Sequence, residues 1–177
     1  MKNLTKITIL VSILTVFGIS CQNTNNPQKA EYEIQNEIPN TLPPTHPQDK
    51  EDLPTDLTVS KEVFSFEITQ GNHGYTDTFY IRKGVQIQSY NIVAAVPSID
   101  NNTKNTNNEQ DILSSIKVNA STIKDMYVLT VKNTMHNALG VNGSATIKVK
   151  LHISGKDDSE KEYIGTRELT VIVRRIN

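Results

Sequence analysis

Ala145, Ile147, Val149, Leu151 and Ile153 alternate with Thr146, Lys148, Lys150 and His152. A repeat of two residues is the signature of a β-strand with one buried face, and no helix can satisfy it. The same period recurs from Val63 onward. Phe64, Phe66 and Ile68 share a face, as do Tyr75, Phe79 and Ile81, then Ile112, Ile116 and Val118, then Tyr127, Leu129 and Val131. Leu169, Val171 and Val173 supply the last such set. In VQIQSYNIVAAV the apolar parity changes between Val85/Ile87 and Tyr90/Ile92/Ala94, which predicts a bulge or bend near Ser89. Pro97 is expected to end that strand. The stretches QGNHG, NTMHNALGVNGS and GKDDSEKE have the composition of reversals. Seven strands and no helix of three turns predict an all-β domain over residues 58–177. The expected form is an antiparallel Greek-key β-sandwich, with a small β-barrel as the alternative.

Residues 22–57 have a different character. They hold six of the seven prolines and almost no periodic apolar residue. Proline fixes φ and removes a donor, and low hydrophobicity leaves little to offset the entropy of ordering. The segment 21–57 is therefore expected to be a disordered tether, with Glu31 to Ile38 as a marginal turn of helix. Its 36 residues from Gln22 to Leu57 would reach about 110 Å if fully polyproline-extended, enough to lift the domain clear of lipid headgroups.

At the other extreme of polarity stands MKNLTKITILVSILTVFGISC. Lys2 and Lys6 precede an apolar run from Ile7 to Ile19, and Ser20 precedes Cys21, the single cysteine of the chain. A charged start, a short apolar middle and a small residue at the cut make a secretory signal over residues 1–20. The stretch resembles a bacterial lipoprotein signal, although Gly18 stands where that pattern favours a large aliphatic. The resemblance implies cleavage before Cys21 and lipid attachment to it, hence a membrane partner. Gln22, rather than aspartate, follows the cysteine, which implies an outer-membrane destination in a cell with two membranes.

The closing pair SATIKVKLHISG and GTRELTVIVRRIN is similar to the last hairpin of bacterial immunoglobulin-like domains. The chain has no tryptophan and no second cysteine, so this resemblance implies architecture only.

Removing the two lysines of residues 1–20 leaves 16 basic and 19 acidic side chains, a net of −3. That balance gives no electrostatic case for nucleic acid. With Cys21 committed to lipid, no thiol remains for a zinc site, a nucleophile or a disulfide. His46, His73, His136 and His152 show no paired ligand spacing. GxSxG and glycine-rich phosphate loops are absent from the sequence. Asp157, Asp158 and Glu160 are acidic but interleaved with lysines, and they lack the alternation of a calcium loop. Asp100 and Asp111 offer no stronger case.

No cofactor is expected. Two asparagine-rich stretches, 100–110 and 133–143, are long enough to project from one end of a sandwich and carry polar contacts. Lys148 and Lys150 are read as guarding an edge strand. The expected function is a non-catalytic, lipid-anchored binding or accessory module of the cell envelope with a protein or glycan partner. The alternatives are a structural or assembly subunit of an envelope complex, and a small metal-dependent hydrolase using His73, His136 and a carboxylate.

Overall fold

The computed structural model describes residues 33–43, 51–54 and 57–176. The signal 1–20, Cys21 and His46 lie outside the described residues. In chain order the elements are β1 (Ile34–Glu37), β2 (Glu51–Asp52), β3 (Thr58–Val59), β4 (Val63–Ile68), β5 (Gly74–Arg82), β6 (Ser89–Ile99) and β7 (Lys104–Thr106). Then come α1 (Glu109–Ser114), β8 (Ile116–Ser121), β9 (Met126–Lys132), α2 (Thr134–Ala138), β10 (Leu139–Lys156) and β11 (Glu162–Arg175). One sheet has the order β1-β8-β9-β5-β3. The other has the order β2-β11-β10-β6, with β4 also on β11 and β7 on β10. Neighbours are antiparallel except that β2 and β4 lie parallel to β11. The sheets are not closed into a barrel, so that alternative is set aside; two layers around one core are consistent with a β-sandwich.

Alternation locates the core. Ala145, Ile147, Val149, Leu151, Ile153, Leu169, Val171 and Val173 are fully buried and meet Phe64, Phe79, Val118, Leu129 and Val131 in one cluster. Phe79 packs edge-on against Phe64 and stacks on Tyr127. Fully burying an aliphatic or phenyl side chain contributes about 1.5–3 kcal/mol, and this cluster does so without disulfides.

Two expectations change. Pro97 does not end its strand: β6 continues to Ile99, with Pro97 opposite Val149. The strand is at a sheet edge, where a missing donor costs no ladder bond. The expected bend is present just before Ser89, at Val85, Gln86 and Gln88. A separate bulge lies deeper, where Ala94 pairs with His152 and Ile92 with Ile153, leaving Val93 as the extra residue. Lys148 and Lys150 do not guard an edge, because β10 is flanked by β6 and β11. They face outward from an interior strand, and Lys148 pairs with Glu168 at 2.9 Å.

The proline-rich segment departs furthest from expectation. Ile34–Glu37 is a strand on β8, not a helical turn. Ile38 donates to Val118, the Pro39 carbonyl accepts from Ala95 on the opposite sheet, and Asn40 Nδ2 donates to the Ile116 carbonyl. Leu53 donates to Ile164. Arg167 donates through Nε to the Leu57 carbonyl at 2.6 Å and through Nη2 to the Pro54 carbonyl at 2.7 Å. Ile38, Leu53 and Leu57 are buried in the core. The described parts of 21–57 are thus laid along the domain. Proline loses its donor but keeps its acceptor, so a proline-rich segment can run along sheet edges and be held by bonds it accepts.

Register assigns the two ends. Ile34 pairs with Ser121, and Thr122 donates to the Glu33 carbonyl. The chain therefore enters at the end holding the β8–β9 turn, the β5–β6 loop and the β10–β11 hairpin. Residues 100–115 and 133–146 occupy the opposite end.

Candidate functional site

The two asparagine-rich stretches, predicted as separate loops, are folded together into one cap at that far end. Asn108 starts α1: its Oδ1 accepts from the Asp111 N–H at 3.2 Å, and its Nδ2 donates to Asp111 Oδ2 at 2.8 Å. This satisfies one of the orphan donors of the first helical turn. The backbone N–H groups of Asn107 and Asn108 donate to the carbonyl of Ala138, the last residue of α2. Asn107 Nδ2 donates to the Asn137 carbonyl at 3.1 Å. The Ser115 and Thr134 hydroxyls meet at 2.6 Å, and Thr103 Oγ1 both donates to and accepts from the backbone of Thr146. β7 pairs with the start of β10.

Beneath the cap, Ile112, Met135 and Leu139 are fully buried. Arg175 reaches up from the last strand and donates through Nη1 to the carbonyls of His136 and Leu139. A cation suits the carbonyls at a helix C-terminus. What this end presents to solvent is a field of carboxamides: Asn101, Asn102, Asn105, Asn107, Asn108, Gln110, Asn133, Asn137 and Asn142 are exposed. A carboxamide carries two donors and an acceptor, a chemistry suited to hydroxyl-rich or peptide partners, although those of Asn102, Asn107 and Asn108 are partly engaged within the protein. Asn105 and Asn142 sit at φ 51° and 57°, a left-handed conformation that asparagine tolerates.

The described histidines do not assemble a metal site. His73 is exposed in the β4–β5 turn, while His136 is buried on α2 with its Nδ1 at 3.5 Å from Asn137 Oδ1. His152 lies on β10 between Thr166 and Ala94. Among the described residues no three His, Cys, Asp or Glu side chains converge as a metal would require. Asp77, near His73 in sequence, is paired with Lys61.

The acids singled out by type are turn-makers. Asp100 accepts from the backbone and side-chain nitrogens of Asn102. Asp157 accepts from the N–H groups of Ser159 and Lys161 and from the Tyr163 hydroxyl. Desolvation opposes ionisation of Asp157, but these bonds outweigh it and hold the carboxyl below its ordinary pKa. Glu160 pairs with Lys156 at 2.7 Å.

Two tyrosine clusters were not foreseen. Tyr75 accepts from the Thr69 N–H at 2.8 Å and from Asn72 Nδ2 at 2.6 Å, which fixes the turn carrying His73. Burial alone would raise its pKa, yet these bonds bring it below the ordinary value. At the entry end, Tyr90 donates to Asp125 Oδ1 at 2.9 Å. Burial first, then the neighbouring Tyr127 and Asp125, push the Tyr90 phenol far above its usual value. This bond clips β6 of one sheet to the β8–β9 turn of the other. The spacing of these residues in sequence carries no sign of it.

A shallow groove of about 430 Å³ lies on the outer face between β4 and β11, lined by Ser65, Phe66, Glu67, Ile172 and Arg174. It gathers no chemistry beyond the cross-strand pairing of Glu67 with Arg174. No family model, curated protein or solved structure matches the chain.

Proposed function

We propose that the protein is a lipoprotein of the bacterial cell envelope, anchored through lipid on Cys21, that presents a non-catalytic immunoglobulin-like β-sandwich as a binding module. The observation that carries this reading is the placement of the asparagine-rich cap at the end opposite chain entry. An anchor at Cys21 then leaves the cap directed away from the bilayer. The cap is cross-tied before any partner arrives, so little ordering entropy is left to oppose binding. The partner in this reading is an envelope protein or glycan that hydrogen-bonds to carboxamides.

The immunoglobulin-like part of the proposal is supported by strand order. β8-β9-β5 in one sheet and β6-β10-β11 in the other correspond to strands D-E-B and C-F-G of that fold. Here the first long strand, β4, lies parallel to the last strand rather than against β5. An outer-membrane address follows from Gln22 after the cysteine.

A photo-crosslinking residue placed at Asn107 in cells tests the binding role, with Thr166 on the outer sheet face as the comparison. Adducts with an envelope component from position 107 are expected. Adducts from position 166 alone would favour an assembly subunit that docks by its sheet.

A further inference from the structure

Four of the eight large apolar side chains exposed among the described residues lie at the entry end: Ile34 (51 %), Tyr80 (42 %), Val85 (95 %) and Ile123 (43 %). Val85 tops the β5–β6 loop and Ile123 the β8–β9 turn. These two projections are held beside each other, since Ile81 donates to the Asp125 carbonyl and Tyr90 bonds the Asp125 carboxylate. We propose that this end is a lipid-contact face, with Val85 and Ile123 entering the interfacial region of the bilayer.

The inference rests on the reading of Cys21 as the anchor, and chain length makes it specific. Eleven residues, 22–32, separate Cys21 from Glu33, and they span about 40 Å at most. The chain emerges at Glu33, bonded to Thr122 next to Ile123. A lipid on Cys21 therefore keeps this face, rather than the cap, at the bilayer. The cap stands further away by the regular run of β10 from Ser144 to Lys156, whose 13 paired residues span roughly 43 Å.

The charges here suit a neutral surface. Arg82 and Lys124 are exposed beside the apolar tips and can extend toward phosphate while their stems stay among the lipid, whereas the Lys83 ammonium is bonded to the Gln88 carbonyl. Three nearby acids are engaged within the protein, Asp125 by Tyr90, Asp157 by its hairpin and Glu160 by Lys156, while Glu33 and Asp158 are exposed. A face of this size needs little intrinsic affinity, because covalent attachment makes the contact intramolecular.

The absence of native tryptophan gives a clean reporter. Full-length lipidated protein carrying Val85→Trp, Ile123→Trp or, as control, Asn107→Trp is reconstituted into phosphatidylcholine vesicles. Emission from positions 85 and 123 should shift to the blue and be quenched by brominated phosphatidylcholine, while position 107 should show neither. Protein that floats with the vesicles but is unquenched at positions 85 and 123 would overturn the lipid-contact face and leave the anchor standing. Protein that fails to float would overturn both. A blue shift without lipid that grows with protein concentration would assign the face to a second copy and reject the proposal.

Discussion

Gly143 sits where an added Cβ would come within 2.5 Å of the Asn105 carbonyl oxygen and 2.8 Å of the Gly140 carbonyl oxygen. Here the two asparagine-rich stretches press together, and backbone on both sides leaves no flexible atom to yield. Gly143→Ala is expected to force β7 off β10 at a cost of about 1–3 kcal/mol. Thermal unfolding would read the loss, and amide exchange should rise at residues 103–108 while β9 stays protected.

Leu57 makes the corresponding case for the proline-rich segment. It is fully buried, so Leu57→Ala is expected to cost about 2–5 kcal/mol. A solvated tether residue would cost almost nothing, and chemical denaturation of the two proteins separates these outcomes.

Arg167 holds that segment by bonds to the Leu57 and Pro54 carbonyls. Arg167→Ala removes the Arg167 donor from the Leu57 carbonyl and leaves the Pro54 carbonyl with only the Leu57 N–H at 3.3 Å, which should cost about 1–3 kcal/mol. Arg167→Lys should recover only part of this, because an ammonium does not reproduce the guanidinium fork. Limited proteolysis near residue 54 should accelerate in step.

Tyr90 gives a prediction in pH. Its phenol has a raised pKa in the fold, so the native state holds its proton where the unfolded chain releases it. The resulting stabilisation is complete below the unfolded tyrosine value of about 10 and erodes as pH rises beyond it. Tyr90→Phe should be less stable than the parent at neutral pH, with the gap narrowing above about pH 10. Melting temperatures of both proteins across that range provide the measurement.

The major strands were legible because burial on one face imposes a period of two that the side chains record directly. Seven long strands lie in the stretches marked by alternation, and Leu169, Val171 and Val173 point inward as expected, but Ile112, read as strand, lies in α1, and Val85 and Ile87 precede β6 rather than belonging to it. α1 was also written in the sequence: asparagine at position 108 with an acid three residues on is a helix-start signature, overlooked because Ile112, Ile116 and Val118 alone also fit a strand. The strands β1 to β3 were not legible. Composition registers the missing proline donors, whereas this segment is held through the non-proline residues of β1 and β2, through Ile38, Asn40, Leu53 and Leu57, and through the Pro39 and Pro54 carbonyls, with partners as distant as Arg167. The cap was half legible, since asparagine marked both stretches as candidates. Their union depends on long-range pairing of β7 with β10 and on the space left bare at Gly143, which neither stretch shows alone.

Everything said of orientation depends on Cys21, and a single labelling experiment addresses it. Cells expressing the parent chain or Cys21→Ser are fed a fatty-acid probe, and membrane and soluble fractions are compared. The parent should be labelled and membrane-bound, and Cys21→Ser should be unlabelled, with the mature β domain released. A Cys21→Ser protein that remains labelled and membrane-bound would contradict the account.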